Sequence, residues 1–556
     1  LPTSLLMTAS LRPLDLAALV LTIGGIAIYG MWKSRQKASA TEFLSGQNQT
    51  NWLTMALGIL ATQASAITFL STPGQGFGDG LRFAQFYLGM PLALFVLGAW
   101  VVPRYMRSGA RTAYEYLEGV FGPRVRGLAA SLFLISRSLA AGITLYAPAI
   151  VLSAIFGWNL KVTVVVIGAV VIAYTAFGGY KAVEVTQTAQ MMVILLGLVA
   201  AFVVLLQGLP EGQGLNEVWS LNRAYGHTQV LDFEWNPASR YTVWSGLAGG
   251  FFLAMAYFGT DQSQVGRYLG GKSLTEIRRG FLFTGLIKFP MQLFILSLGL
   301  LLLARMHFAD EPLWHNPTVA REWVGMRPDL DAQWAEFNEQ RQQLAAQPET
   351  RERQAQLASL HERRNALKAD AVAEVQATAP HLETKDQDYV FLGWALGHMP
   401  VGLLGLLLAV IMAGAMSSSS AEINALAATS VIDFGRALGL RETLQTSRWV
   451  TAFWGLAAMG VALLASLYEN LIQLVNLVGS LFYGPMLGIF VCAWLFKHLP
   501  WRSVFWGGIL AESAVLSLHA ATLAGWLELG YLWYNLIGAV LVVALAWLLP
   551  FRAPRA

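Results

Sequence analysis

The sequence predicts an all-α polytopic membrane protein with about 13 transmembrane helices of roughly twenty residues each. Three observations carry this. Of 556 residues, 55% are hydrophobic and 13% charged, and the mean hydropathy is +0.51; a soluble domain carries about twice that charged share, ~25%. Apolar runs long enough to cross a ~30 Å hydrocarbon core recur along the chain. The basic residues of the short connections divide 20 to 5 between alternate sides, the asymmetry that fixes orientation in a bilayer.

The first run, 13–32, follows a polar leader and is closed by Lys33, Arg35 and Lys37. A signal peptide carries its positive charge ahead of the apolar run. Here the charge follows, so the segment reads as an uncleaved span. Spans continue at 53–71, 83–103, 128–156, 162–178, 186–207, 242–260 and 281–305. They resume, after a polar interruption, at 392–416, 449–467, 471–496, 503–523 and 531–550. Arg104, Arg107, Arg278, Arg279, Arg436, Arg441 and Lys497 fall on the charge-rich side. That side is cytoplasmic, which places the N-terminus outside and the C-terminus in the cytoplasm of an inner or plasma membrane. The net charge of +4 reflects these basic loops and is no nucleic-acid signal. Cys492 is the single cysteine, so an intrachain disulfide is excluded.

The interruption, 307–390, is rich in Glu, Gln, Arg and Ala. Leu330, Trp334, Phe337, Arg341 and Leu344 recur at helical spacing, as do Leu357, Leu360, Arg364 and Leu367 after Pro348. These predict a helical hairpin outside the membrane. A spacer, a lid over the outer entrance and a docking site for a partner are all open readings of it. The chain then divides into a leading helix and loop (1–50), a first repeat with the start of a second (51–306), the insert (307–390), the rest of the second repeat (391–497) and two further helices (498–556).

Two spans have the composition of interrupted helices. One contains Leu60-Ala61-Thr62-Gln63-Ala64-Ser65-Ala66-Ile67-Thr68; the other runs from Gly249-Gly250 to Tyr257-Phe258-Gly259-Thr260. They stand five spans apart, consistent with a five-helix unit duplicated in inverted orientation, and broken helices at matching places point to a midplane binding site. The run Met412-Ala413-Gly414-Ala415-Met416-Ser417-Ser418-Ser419-Ser420 places four hydroxyls in an otherwise apolar span. Gly414, Ser417 and Ser418 share a face at i, i+3 and i+4. Such a face suits a hard cation, which takes neutral oxygens; it equally suits close helix packing with cross-helix hydrogen bonds. Lys288 lies within an apolar run, where an unpaired lysine costs about 2.5–3.5 kcal/mol on insertion scales. A carboxylate substrate would pair it, and so would snorkelling or backbone carbonyls; Arg137 poses the same question. Gly74-Gln75-Gly76-Phe77-Gly78-Asp79-Gly80 follows a helix and not a strand, so it is a flexible turn near the outer gate and not a phosphate loop. The sequence holds no HExxH, GxSxG or Walker pattern, and enzyme chemistry is unsupported.

Four motifs carry a resemblance. Tyr174-Thr175-Ala176-Phe177-Gly178-Gly179-Tyr180-Lys181-Ala182-Val183 and Gly259-Thr260-Asp261-Gln262-Ser263-Gln264-Val265-Gly266-Arg267-Tyr268 resemble signatures of the sodium/solute symporter family. Thr112-Ala113-Tyr114-Glu115-Tyr116-Leu117-Glu118 and Leu145-Tyr146-Ala147-Pro148-Ala149 resemble its iodide, monocarboxylate and multivitamin branch. The resemblance covers nearly all of the chain except the insert. It implies a LeuT-type inverted five-helix repeat behind one leading helix. It also implies a sodium site made by carbonyls of Ala61, Ala64 and Gly414 and hydroxyls of Ser417 and Ser418. A second sodium site in some members needs an aspartate in a Thr-Asp-x-x-Gln pattern. Here Thr186-Gln187-Thr188-Ala189-Gln190 offers an amide, which cannot balance a desolvated cation, so one sodium per cycle is expected. Tyr87 and Thr68 stand where sugar carriers of the family have Glu and Gln, which argues against hexose, and Lys288 aligns with their substrate-contacting lysine.

Gln63, Ser65, Thr68, Gln85 and Tyr87 are candidate pocket residues on one side; Tyr257, Phe258, Asn476 and, equally on its helix, Gln473 are candidates on the others. The expectation is a sodium-coupled symporter importing a small organic anion such as a monocarboxylate. A sugar or polyol symporter and a non-transporting sensor with the same core are the alternatives.

Overall fold

In a computed structural model, which describes residues 12–34, 51–63, 66–269, 271–380, 382, 384, 386–464, 471–549 and 551, every described element is helical. The bilayer imposes this, because a helix satisfies its backbone groups within the segment. The chain runs α1 (Pro13–Ser34), α2 (Trp52–Gln63), α3 (Ala66–Asp79), a 3-10 segment (Gly80–Tyr87), α4 (Met90–Val96), a π turn (Leu97–Val101), α5 (Val102–Ser108), α6 (Ala113–Phe121), α7 (Pro123–Phe156) and α8 (Leu160–Gln207). Next come α9 (Leu215–Ala224), a π turn (Ser245–Gly249), α10 (Gly250–Gly259), α11 (Gln262–Leu269) and α12 (Leu274–Met306). The insert holds α13 (Pro317–Trp323), α14 (Pro328–Ala345) and α15 (Arg351–Thr378). The remainder is α16 (Gln387–His398), α17 (Leu403–Asp433), α18 (Gly435–Leu438), α19 (Leu444–Leu464), α20 (Leu471–Leu495), α21 (Trp501–Leu523) and α22 (Trp533–Leu548).

Among the described residues, eight helical stretches are long and apolar enough to cross a bilayer. Five shorter apolar helices accompany them, including Trp52–Gln63, Ser245–Gly259 and Trp533–Leu548. The chain is an all-α, multi-pass membrane protein. Its ends are set locally. Ser273 caps α12 by accepting from Glu276 N, and the Glu276 carboxylate reaches over to accept from Trp52 N at 2.7 Å. The N-cap of α12 and its third-position glutamate thereby register the starts of α12 and α2.

Three expectations change. The spans predicted at 162–178 and 186–207 lie on one helical run, α8. The span predicted at 392–416 divides at Met399–Gly402, where Pro400 and the left-handed Gly402 (φ +88°) end one helix and start another. The serine run therefore sits mid-helix in α17, about 20 Å from its start. The glycine-rich stretch 74–80 is no flexible turn: through Asp79 it is helix α3. Gly74 and Gly76 let α3 meet other backbones directly, since a β-carbon there would collide with the carbonyls of Gln387 and Leu296.

Candidate functional site

α2 is described to Gln63 and α3 from Ala66, so the predicted interruption in the second span falls on residues that the structure does not describe. Ala64 and Ser65 lie outside the described residues. Thr68 Oγ1 donates to Gln63 O at 2.7 Å. Ala61 is buried, and Gln63 Oε1 is buried with no partner among the described residues. In the second stretch, Gly249-Gly250 to Thr260, the chain stays helical through a π turn at Ser245–Gly249 and leaves the helix at Thr260–Asp261, between α10 and α11.

α17 packs against α1, α2, α3, α7 and α8. On it, the Ser418 and Ser419 hydroxyls are buried without a hydrogen-bond partner among the described residues. This is unusual for a helical hydroxyl, which ordinarily donates to the carbonyl four residues back. Thr62, Thr144, Thr175, Thr260 and Thr451 all do so here. A buried hydroxyl left unpaired costs about 1–3 kcal/mol. Neutral oxygens without a partner are the kind of group a desolvated hard cation takes. The Ser417 side chain is outside what the structure describes.

Gln187 is fully buried. Its Oε1 accepts from Arg267 Nη1 at 2.5 Å and its Nε2 donates to Thr62 Oγ1 at 3.4 Å. Arg267 also donates to Gly58 O at 3.2 Å. Ser420 is hydrogen-bonded to Thr175 at 2.5 Å. A guanidinium thus holds the amide of Gln187.

The pocket candidates separate. Lys288 is 1% exposed, its Nζ has no hydrogen-bond partner among the described residues, and it sits 4.9 Å from the Tyr87 ring centre. Tyr87 lies within electrostatic reach of Tyr531 and Tyr257, and Asn476 within that of Tyr531. These residues form one connected centre. Others are committed elsewhere. Gln85 donates to Tyr241 O at 3.1 Å and accepts from Asp232 N at 2.8 Å; both ends anchor a loop, so it is not free for a ligand. Gln473 bridges Arg240 (2.7 Å) and Gln75 (2.9 Å). The Thr68 hydroxyl donates to Gln63 O, and Phe258 is packed in an apolar cluster.

Sequence reasoning missed a buried ion cluster. Arg137 Nη2 pairs with Asp261, its Nη1 lies 3.0 Å from Glu422 Oε1, and Tyr483 donates to Asp261 at 2.8 Å. Glu422 was the available signal, a carboxylate two residues beyond the serine run. The cluster joins α7, α17, α20 and the second helix break, and its ring neighbour is Tyr257, 5.5 Å from Arg137 Cζ. Tyr531, likewise unremarked, sits in the centre beside Tyr87.

The family model described as "Sodium:solute symporter family" matches residues 43–325 and 364–511. The unmatched stretch between them lies inside the insert. Mouse (Mus musculus) sodium-coupled monocarboxylate transporter 2 is 26% identical over 518 residues, 92% of this chain and 71% of the relative. The sodium-dependent multivitamin transporter of rabbit (Oryctolagus cuniculus) is 25% identical over 479 residues, 85% of this chain and 64% of the relative. A Na+-coupled sialic acid symporter, solved substrate-bound and outward-open, superposes with a TM-score of 0.72 at 20% identity, covering 97% of this chain and 98% of its own. At that identity the likeness speaks to the fold alone.

Proposed function

The chain belongs to the sodium:solute symporter family, and from that premise we propose that it carries a small organic anion, a monocarboxylate in class, together with one sodium ion per cycle. As a sodium-coupled symporter it uses the ion gradient to move a small solute across the membrane. The observation that supports an anion is Lys288. A buried cation without a partner, facing tyrosines in the middle of the fold, is stabilised by a ligand that brings the missing carboxylate. Relatives named as monocarboxylate transporters support the same class.

For the ion, we assign carbonyls of Ala61, Ala64 and Gly414 and hydroxyls of Ser417 and Ser418. Ion binding would tie the broken helix to α17; its loss on the cytoplasmic side would let the two separate, coupling sodium release to inward opening. The loop charges support an outside N-terminus and a cytoplasmic C-terminus. The Arg267–Gln187 contact supports a single sodium.

Uptake into proteoliposomes tests the assignment. Sodium-driven uptake of a labelled monocarboxylate is expected to be displaced by other short carboxylates and not by polyols or hexoses. Ser417→Ala with Ser418→Ala is expected to abolish sodium dependence while leaving expression and folding intact. Sodium dependence unchanged in that double variant, or displacement by polyols alone, refutes the respective half.

A further inference from the structure

Where the lipid-facing sides of two helices run out, four cations gather around one cavity. α12 exposes Leu282 and Leu286, each 62% exposed, one and two turns beyond Arg278 on the same face. Beside it α4 exposes Leu92 and Phe95. The two helices are in contact, for a β-carbon on Gly285 would lie 3.2 Å from Pro91 Cα and one on Gly98 3.5 Å from Arg278 Cγ. Past this apolar strip opens a cavity of 640 Å³ lined by Trp100, Arg104, Arg107, Tyr116, Arg278 and Lys497, with no acidic residue in its wall. Among the described residues none of the four cations has a carboxylate within 4.0 Å.

Two of the cations are held in place. Arg278 Nε donates to Gly98 O at 2.9 Å and its Nη2 to Ala99 O at 3.4 Å, both on the π turn. Arg104 lies 4.3 Å from the Trp100 ring centre and donates to Trp100 O at 2.5 Å. Arg107 and Lys497 make no hydrogen bond among the described residues. Four cations without counter-charge repel one another, and the fold spends backbone carbonyls and an indole to keep two of them there. The missing group is anionic, has several acceptor oxygens to match guanidinium forks, and sits at the level of an interfacial tryptophan. The strip of Leu92, Phe95, Leu282 and Leu286 running straight into the cavity says it also carries hydrocarbon.

We propose that this cavity binds the phosphate of an anionic phospholipid whose acyl chains lie along that strip. Basic pockets between membrane helices hold such headgroups. The site rests on membrane embedding and on this geometry, not on the substrate proposed above; the proposed orientation decides only that the leaflet is the cytoplasmic one.

The full chain, purified in detergent with phosphatidylcholine, tests it by thermal unfolding without sodium or substrate. Added phosphatidylglycerol is expected to raise the melting temperature to a plateau, and salt to weaken the effect. Further phosphatidylcholine, inorganic phosphate and glycerol 3-phosphate are expected to leave it unmoved. Arg107→Gln and Lys497→Gln, which break no bond within the protein, are each expected to weaken the phosphatidylglycerol response about fivefold, and the double variant to lose most of it. Arg436→Gln with Arg441→Gln, basic residues outside the cavity, keeps the wild-type response. A double variant that responds like wild type overturns the site. Inorganic phosphate that reproduces the shift overturns the lipid as its occupant.

Discussion

Lys288 holds its amino group where the bilayer offers it nothing, and stability and function there pull in opposite directions. Lys288→Met removes a buried, unpaired cation, so the substrate-free protein is expected to melt higher than wild type. The same change removes the partner for a carboxylate. Losing a charge-assisted hydrogen bond of about 1.5–3 kcal/mol raises the KM for uptake roughly 10- to 100-fold. Uptake kinetics alongside melting curves check both signs; an unchanged KM excludes Lys288 from the solute site. Gln187 gives a second single-residue test. Gln187→Asp restores the acid that a second sodium would need, but Arg267 lies 2.5 Å from the present amide oxygen and is expected to neutralise it. The sodium dependence of uptake in this variant is therefore expected to keep a Hill coefficient of one. A coefficient of two would show that the substitution alone had excluded the second ion. Lys288 was legible in the sequence because a charge in an apolar run demands an explanation. Gln85 was not: its partners, the backbone of Tyr241 and Asp232, lie about 150 residues away, and nothing local distinguishes an amide that anchors a loop from one that meets a ligand.

Elements were legible where hydropathy changes together with backbone direction, and misread where it does not. The apolar run through 392–416 continues across Pro400, so composition alone joined two helices that the Met399–Gly402 turn separates. Lys181 and its neighbours suggested a loop that α8 instead crosses as helix. The interruption expected at 60–68, where small and hydroxyl residues replace large apolar ones, falls on Ala64 and Ser65, outside the described residues. The glycines of 74–80 misled for a related reason. Glycine marks a turn and a close helix crossing alike, and only the partner backbone decides between them. That crossing is tight: a β-carbon on Gly299 of α12 would run into the carbonyl of Pro73. Gly299→Ala is expected to destabilise the protein by about 1–3 kcal/mol through forced separation of α3 and α12. Gly460→Ala in α19, whose new methyl would meet nothing within 4 Å, serves as the matched control and is expected to melt no lower than wild type. Equal behaviour of the two variants would mean that α3 is not held by direct backbone contact.

Across the whole molecule, the insert is bonded to the transport core and not merely tethered to it. Arg364 lies 5.2 Å from the ring of Phe77 on α3, and the ring of His315 lies 5.8 Å from the same phenylalanine. Arg353 pairs with Glu217 of α9 at 2.5 Å. Inside the insert Glu311 is buried between Arg341 and Arg364, accepting from the latter at 2.6 Å. Burial alone would raise the Glu311 carboxyl, but the two guanidiniums hold it well below the usual carboxylate range. His361 is pushed down to about 4 by burial and then by the charge of Arg364, and His227 to about 3 by burial and then by His361. An unfolded histidine titrates near 6.5, so between pH ~6.5 and ~4 the opened state binds more protons than the closed one. The stability these histidines contribute is then complete above pH ~6.5 and lost as pH falls toward 4; Glu311 adds its own loss below ~4.5, the usual carboxylate range. Acid is therefore expected to loosen α14, α15 and their contact with α9 before the membrane helices respond. Hydrogen exchange in 317–378 on the intact chain, with Trp314, Trp323 and Trp334 as fluorescent reporters, follows this directly. His361→Gln should flatten the profile between pH 6.5 and 4. Glu311→Gln strands two buried arginines without a counter-charge, a loss on the order of 3–5 kcal/mol, and is expected to open the insert even at neutral pH. Insert protection that stays constant down to pH 4 in wild type would mean that these histidines accept protons without leaving their packed positions.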